Sequence, residues 1–240
     1  MERLDKFISS RGTLSRSDAQ KRIRRGDVTL NGEVCRSPEK KLDPETDRVE
    51  LSGQAVCGDE HIYIMLNKPA GVVSATRDNT AKTVIDILPP ELRRDGLFPA
   101  GRLDKDTEGL LIITDDGDFA HRMLSPKKHV EKQYVAELDS EITPDMIKRF
   151  EAGIVLENGT RCMPAKLKIA ENSQNSTGIV TICEGKFHQV KKMFAACGLK
   201  VVHLQRISVG NLYLDGNLPI GSAKKLTKLE IEAIFVGKIH

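Results

Sequence analysis

Residues 98–119 read FPAGRLDKDTEGLLIITDDGDF, and the rest of the chain is read outward from this stretch. Its LLIIT segment, residues 110–114, is apolar and β-branched, the composition of a buried strand. Just ahead stands Asp104, between a glycine turn at Gly101 and that strand. An ionised carboxylate so near a core element is costly unless a cation accompanies it, which makes Arg102, Lys105, Lys186, Lys191 and Lys192 candidate partners.

Strand-like segments recur on both sides. HIYIMLNKPAGVVSA (residues 61–75) reads as a strand running into a Lys68-Pro69-Ala70-Gly71 turn, and KQYVAEL, AKLKIA, TGIVTIC and KVVHLQRISVGNLYL read as further strands. Helices are fewer. Thr143 and Pro144 supply a cap and a first-turn proline ahead of Met146, Ile147 and Phe150, with Gly153 as the stop. In GKFHQVKKMFAACG (residues 185–198), Val190, Met193, Phe194 and Cys197 form an apolar stripe and leave His188, Lys191 and Lys192 on a basic face. Strands and helices do not alternate as a βαβ series would. The expected class is α+β, with a largely antiparallel mixed sheet flanked by a few helices over residues 61–240.

The N-terminal segment is different in kind. Leu4, Phe7 and Ile8 recur at helical spacing, with Gly12 as the stop, and SRSDAQKRIRRGD offers Ser15 or Ser17 as cap, Ala19 and Ile23 as the inward pair and Gly26 as the end. Asn31-Gly32 between Val28/Leu30 and Val34 is a hairpin signal, because both turn residues accept positive φ. Two helices and a hairpin thus form a small domain over residues 1–55; the polar, glycine-punctuated stretch 52–60 holds the linker, placed at 56–60. Residues 1–41 carry eleven Lys/Arg against six Asp/Glu, whereas the whole chain has a net charge of only +3. That asymmetry suggests a module for a polyanion, with a solvated charged surface as the plainer alternative.

Composition and motifs remove other classes. A chain of 240 residues with 39% apolar and 30% charged residues fits a soluble globular protein of one or two domains. No apolar run approaches the roughly 20 residues of a membrane span, and Met-Glu-Arg-Leu-Asp lacks a secretory apolar segment, so a cytoplasmic protein is expected. Five scattered cysteines and six histidines show no metal-ligand spacing, and reduced thiols and no metal are expected. Neither a phosphate-binding nor a dinucleotide glycine loop is present, nor a serine elbow or a catalytic-cysteine signature. The residues alone lead to an RNA-binding protein with a carboxylate site.

The motifs carry a further resemblance. GRLDKDTEGLLIITDDGDFAHRMLSPKKHVEKQYVAEL resembles the defining stretch of the pseudouridine synthases of the RsuA type, which isomerise uridine in ribosomal RNA. LNKPAGVVSA resembles that family's first motif, EGKFHQVKKMFAACG its third, and HLQRISVG the strand that follows. RLDKFIS, SRSDAQKRI and GDVTLNGEV, in that order, resemble an S4 RNA-binding domain. Asp104 is then similar to the essential aspartate, and the resemblance makes Lys191 its cationic partner, with a surface lysine on an amphipathic helix as the ordinary alternative. Tyr134 matches the tyrosine that stacks on the everted base, and Leu204 the apolar residue on its other side; Arg102, His188 and Gln189 join them as base- or substrate-binding residues. Lys105, Thr107 and Gly109 look architectural. Pseudouridine formation breaks the C1′–N1 bond, turns the base and joins C5 to C1′, so no cofactor is implied. The carboxylate acts either as a nucleophile on the sugar or as a base toward the 2′ proton, and the sequence leaves both routes open.

The basic S4-like helix, with Arg16, Lys21, Arg24 and Arg25 joined by Arg3, Lys6 and Arg11, is the expected phosphate-binding face. The third motif is closer to small-subunit than to large-subunit relatives, which points to one uridine of 16S rRNA, free or in a partly assembled subunit, and to a monomeric enzyme. Lysine at 186, 191 and 192, where some relatives have arginine, keeps the charge but lacks the planar fork. The alternatives are a 23S rRNA synthase of the same family, a noncatalytic S4-type RNA-binding protein, an N-glycosidase using the same carboxylate and, least supported by the sequence, a membrane-surface module.

Overall fold

The computed structural model describes residues 1–240 apart from 12, 13, 45, 57–60, 126, 127, 172–175 and 237–240. The chain forms two compact units, Met1–Ile62 and Tyr63–His240.

In the first unit, strand β1 (Glu2–Arg3) leads into α1 (Leu4–Ser10) and α2 (Arg16–Arg25), followed by β2 (Val28–Leu30), β3 (Glu33–Val34), β4 (Lys41–Leu42), β5 (Val49–Leu51) and β6 (Gln54–Ala55). Leu4, Phe7 and Ile8 of α1 pack with Ala19 and Ile23 of α2 over Val28, Leu42, Val49 and Val56. Ser15 accepts a hydrogen bond from the Asp18 amide at the start of α2, and Gly26 closes the helix at φ 90°. The Arg36 guanidinium then donates to the carbonyls of Arg24 and Arg25, satisfying helix-end acceptors. Asn31 and Gly32, at φ 54° and 86°, make the expected β2–β3 turn. The stretch expected to begin the linker does not: Ser52 and Gly53 turn β5 back onto β6, and Val56 is buried in the core. Two residues with positive φ between Leu51 and Gln54 were a hairpin signal in a segment whose polarity reads as linker. Residues 57–60 of that linker, and the Gly12 helix stop, lie outside the described residues.

Asp5 is the polar centre of this unit. Its fully buried side chain accepts from Arg3 Nε and Nη2, both at 3.0 Å, and from Gln20 Nε2 at 2.8 Å, with Arg16 Nε 3.5 Å away. Burial alone would raise this carboxyl, but the hydrogen bonds from Arg3 and Gln20 and the charge of Arg16 outweigh it and hold the group at about 2. A folded value below the unfolded 3.8 stabilises the unit above about pH 4, and that stability is lost as pH falls towards 2. Asp5→Asn is expected to destabilise this unit by about 2 kcal/mol at pH 7 and to flatten its acid limb, because charge-assisted bonds become neutral ones. Hydrogen exchange of its amides in the full chain checks this; equal protection in both proteins at pH 7 and pH 3 would refute it.

The second unit is built on one sheet. Its strands are β7 (Tyr63–Lys68), β8 (Phe98–Pro99), β9 (Glu108–Thr114), β10 (Lys132–Leu138), β11 (Lys166–Ile169), β12 (Thr177–Ile182), β13 (Val201–Val209), β14 (Leu212–Tyr213) and β15 (Ala223–Lys225). Their order is β11-β12-β10-β13-β9-β7-β15, with β8 on β9 and β14 on β13. Among the described residues each pairing in this sheet is antiparallel except β13 with β9, so the fold is the expected mixed α+β arrangement. At this seam Gly109 faces Arg206, and a Cβ on Gly109 would lie 2.3 Å from the Arg206 carbonyl oxygen. With φ at +97° as well, the position accepts only glycine without a shift of one strand.

Among the described residues four α-helices accompany the sheet, α3 (Gly117–Leu124), α4 (Pro144–Ala152), α5 (Gln189–Ala195) and α6 (Lys228–Ala233). Phe119, Ala120 and Met123 of α3 pack on Met65, Leu110 and Ile112 of the sheet. Helices α4 and α5 were expected, and α4 is capped by Thr143 and stopped at Gly153. Helices α3 and α6 were not, although α6 opens with a capping box of Thr227 and Glu230. On α5, Val190, Met193 and Phe194 are buried as the stripe predicts, whereas Cys197 falls beyond the helix and is half-exposed. Cys35, Cys162, Cys183 and Cys197 are free thiols. No helix among the described residues is long and apolar enough to cross a membrane.

Candidate active site

The Asp104 loop is held by the first motif from below. Lys68, at the end of β7, is fully buried, and its ammonium donates to the carbonyls of Pro69 (3.0 Å), Lys105 (3.3 Å) and Thr107 (2.9 Å). The Gly71 amide donates to the Lys105 carbonyl at 2.7 Å. Ser74 Oγ both accepts from the Leu103 amide and donates to its carbonyl. Residues 68–74 thus fix the backbone on both sides of Asp104, with one cation donating to three carbonyls, of which that of Lys105 also accepts from Gly71. Burial lowers the Lys68 ammonium to about 8, against the opposing attraction of Asp106, Glu108 and Asp104. Sequence reading gave Lys68 itself no role beyond a turn in the first motif, because the carbonyls that it binds lie in a different motif.

Asp104 sits on the wall of a cleft that Arg102, Tyr134, His188, Gln189 and Leu204 also line. The carboxylate is half-buried rather than sealed, its side chain 24% exposed. Lys191 Nζ lies 3.8 Å from Asp104 Oδ2, and His188 Nε2 lies 3.4 Å from Oδ1. Lys191 has a closer partner that the sequence did not suggest: Asp106 Oδ1, at 2.5 Å. This hydrogen bond from Lys191 holds the Asp106 carboxyl below its usual range. The lysine is therefore shared between two carboxylates of one loop. Of the other cations considered for Asp104, Lys186 is tied to Glu184 (3.0 Å) and the Arg161 carbonyl (2.9 Å), and Lys192 lies over the Phe187 ring.

Tyr134 and Leu204 reach the cleft from adjacent strands, β10 and β13, and both are largely buried, at 7% and 4% exposure. Gln189 is buried beside them. It lines the cleft, but its amide is occupied within the protein: Oε1 accepts from the Lys186 amide at 2.9 Å and Nε2 donates to Glu184 at 2.8 Å. These bonds tie the 184–189 turn together.

The expected phosphate-binding cations of the first unit divide. Arg3 and Arg16 face Asp5, Lys6 lies 3.8 Å from Glu2, Lys21 pairs with Asp18, and Arg11 lies over the Phe7 ring. Arg24 and Arg25 are exposed on α2 and make no ion pair among the described residues. No cluster of His, Cys, Asp or Glu among the described residues has the arrangement of a metal site.

Comparison with known proteins agrees across both units. Residues 62–196 match the model of the RNA pseudouridylate synthase family, and residues 2–49 match the S4 domain. An uncharacterized RNA pseudouridine synthase of Bacillus subtilis, YtzG, is 45% identical over 233 residues, covering 97% of this chain and 98% of that protein. The ribosomal small subunit pseudouridine synthase A of Escherichia coli is 41% identical over 235 residues, covering 97% and 99%. A crystal structure of a pseudouridylate synthase superposes with a TM-score of 0.68 at 38% identity, covering 98% of this chain and all of the other.

Proposed function

Because this chain belongs to the RNA pseudouridylate synthase family and is an RNA pseudouridine synthase with an S4 domain, we propose that its substrate is a single uridine of 16S ribosomal RNA and that Asp104 carries the reaction. The observation that supports this most is the convergence at one cleft of Asp104, its neighbour Lys191 at 3.8 Å, and the flanking side chains of Tyr134 and Leu204.

In this reading the target nucleotide leaves its stack and its base enters between Tyr134 and Leu204. Asp104 then meets the ribose. Asp104 bonds to C1′ as the C1′–N1 bond breaks, or takes the 2′ proton as that bond breaks to leave a glycal; the freed base turns, C5 bonds to C1′ as the Asp104–C1′ bond breaks or the proton returns to C2′, C5 gives up its proton and N1 gains one. Atoms and electrons balance within the nucleotide. Lys191 stands beside the carboxylate at 3.8 Å, and Asp106 sets where its ammonium stands. Arg102, exposed at the cleft, meets a flanking phosphate. The S4 unit supplies affinity through Arg24 and Arg25, a contribution that weakens as salt rises.

The small-subunit target rests on the likeness to relatives of that name. Carbodiimide-dependent reverse-transcription stops, mapped in ribosomal RNA from cells with and without this gene, test it. One stop in 16S rRNA is expected to vanish and to return with the wild-type gene. Loss of a 23S stop instead would favour the large-subunit reading, and unchanged maps would overturn the ribosomal substrate.

A further inference from the structure

Phe187 is out of place for a phenylalanine. It is 68% exposed, whereas the other six phenylalanines of the chain are buried or half-buried. Leaving such a ring in water forfeits about 2 kcal/mol of burial. Its setting is nevertheless fixed. On one side, the Lys186 amide is bonded to Gln189 and the Lys186 ammonium to the Arg161 carbonyl. On the other, His188 is held in the left-handed region at φ 52° and ψ 34°, uncommon for a residue other than glycine and a mark of functional positions. This backbone accompanies a parallel stack of the His188 and Phe187 rings, 3.8 Å apart between centroids with 20° between planes. Lys192 Nζ stands 4.9 Å from the Phe187 centroid. His188 is in turn 3.4 Å from Asp104, so the stacked rings run from the carboxylate out to the exposed Phe187.

We propose that Phe187 is a stacking platform for the base of the nucleotide adjoining the target uridine, with Lys192 meeting that nucleotide's phosphate. This rests on the reading of Asp104 as the group that meets the target ribose. A target held there places its neighbour one step out along the strand, beside His188 and Phe187. Exposed rings next to a cation are the means by which proteins hold unstacked single-stranded nucleotides, and they do so without reading sequence, because every base offers a π-face. The ring thus compensates a neighbour for the stacking it loses when the uridine is everted.

The test is single-turnover pseudouridine formation on an rRNA substrate carrying the mapped site, intact or abasic at the adjoining nucleotide on either side. Phe187→Ala is expected to lower kcat/KM about 10- to 100-fold, chiefly through KM, while Phe187→Tyr restores it. Removing one adjoining base should lower the wild-type value by a similar factor and leave Phe187→Ala no worse, since ring and base act as one contact. An active wild type with Phe187→Ala within twofold of it, or losses that multiply for both adjoining bases, overturns the platform. A wild type inactive on the intact substrate overturns the substrate reading and the platform with it.

Discussion

Replacing Asp104 by asparagine is expected to lower single-turnover pseudouridine formation by at least about 10³-fold, with RNA binding changed only a few-fold. Asparagine keeps the shape of the side chain but can neither bond to C1′ nor accept the 2′ proton, so both routes fail together. The loop should survive the change. Lys191 keeps its closer partner Asp106, Ser74 still clips Leu103, and Lys68 still binds the carbonyls of Lys105 and Thr107. Circular dichroism and melting should therefore match the wild type, which separates lost chemistry from lost structure. An asparagine variant within tenfold of the wild-type rate would remove Asp104 from the reaction.

Lys68→Met is expected to do damage of another kind. Methionine is nearly isosteric, but the Pro69 and Thr107 carbonyls lose the Lys68 donor and the Lys105 carbonyl loses one of its two. At about 1 kcal/mol each, offset in part by removal of a buried charge, the net destabilisation is about 2 kcal/mol. Activity should fall further, by about 100-fold, because the loop that aims Asp104 is no longer fixed and small displacements of a reacting group are costly. The pH dependence gives a second readout. A lysine at about 8 in the fold and 10.5 unfolded penalises the native state below pH 8, and the penalty is relieved as pH rises towards 10.5. Stability of the wild type should rise over that window. In Lys68→Met the rise should shrink but persist, since buried Lys132 is also lowered to about 8. Urea unfolding at pH 7 and pH 9.5 measures it, and equal midpoints and rates in the two proteins would exclude the role assigned to Lys68.

Much of the site was legible where chemistry and pattern coincide in one segment. Asp104 stood out because a carboxylate precedes an apolar run, and β9 forms over that run. The basic face of α5 followed from its stripe of Val190, Met193 and Phe194. Bringing Tyr134 and Leu204 to the same cleft required the resemblance, since two strand residues 70 positions apart carry no spacing signal. Lys68 was hidden for a related reason: a lysine beside a proline reads as a turn, and its acceptors are backbone atoms 37 and 39 residues onward. The bonds of Gln189 to Glu184 and the Lys186 amide were hidden because residue type tells what an amide can bind, not which partner the turn supplies. Helix α3 was obscured by Gly117 and Asp118 in its first turn, which read as loop. The Thr227–Glu230 box of α6 was there to be found.

The seam where β9 runs alongside β13 has a consequence for biogenesis. Arg206 donates to the Leu110 carbonyl across 96 residues, a closure that no local hairpin can prepare. The cleft cannot exist on a ribosome-tethered nascent chain until Leu204 and Arg206 have emerged, long after the first unit has had time to condense around its own helices. Folding of this chain is therefore expected to be vectorial: the S4 unit can condense first, and the cleft closes only after β13 has emerged.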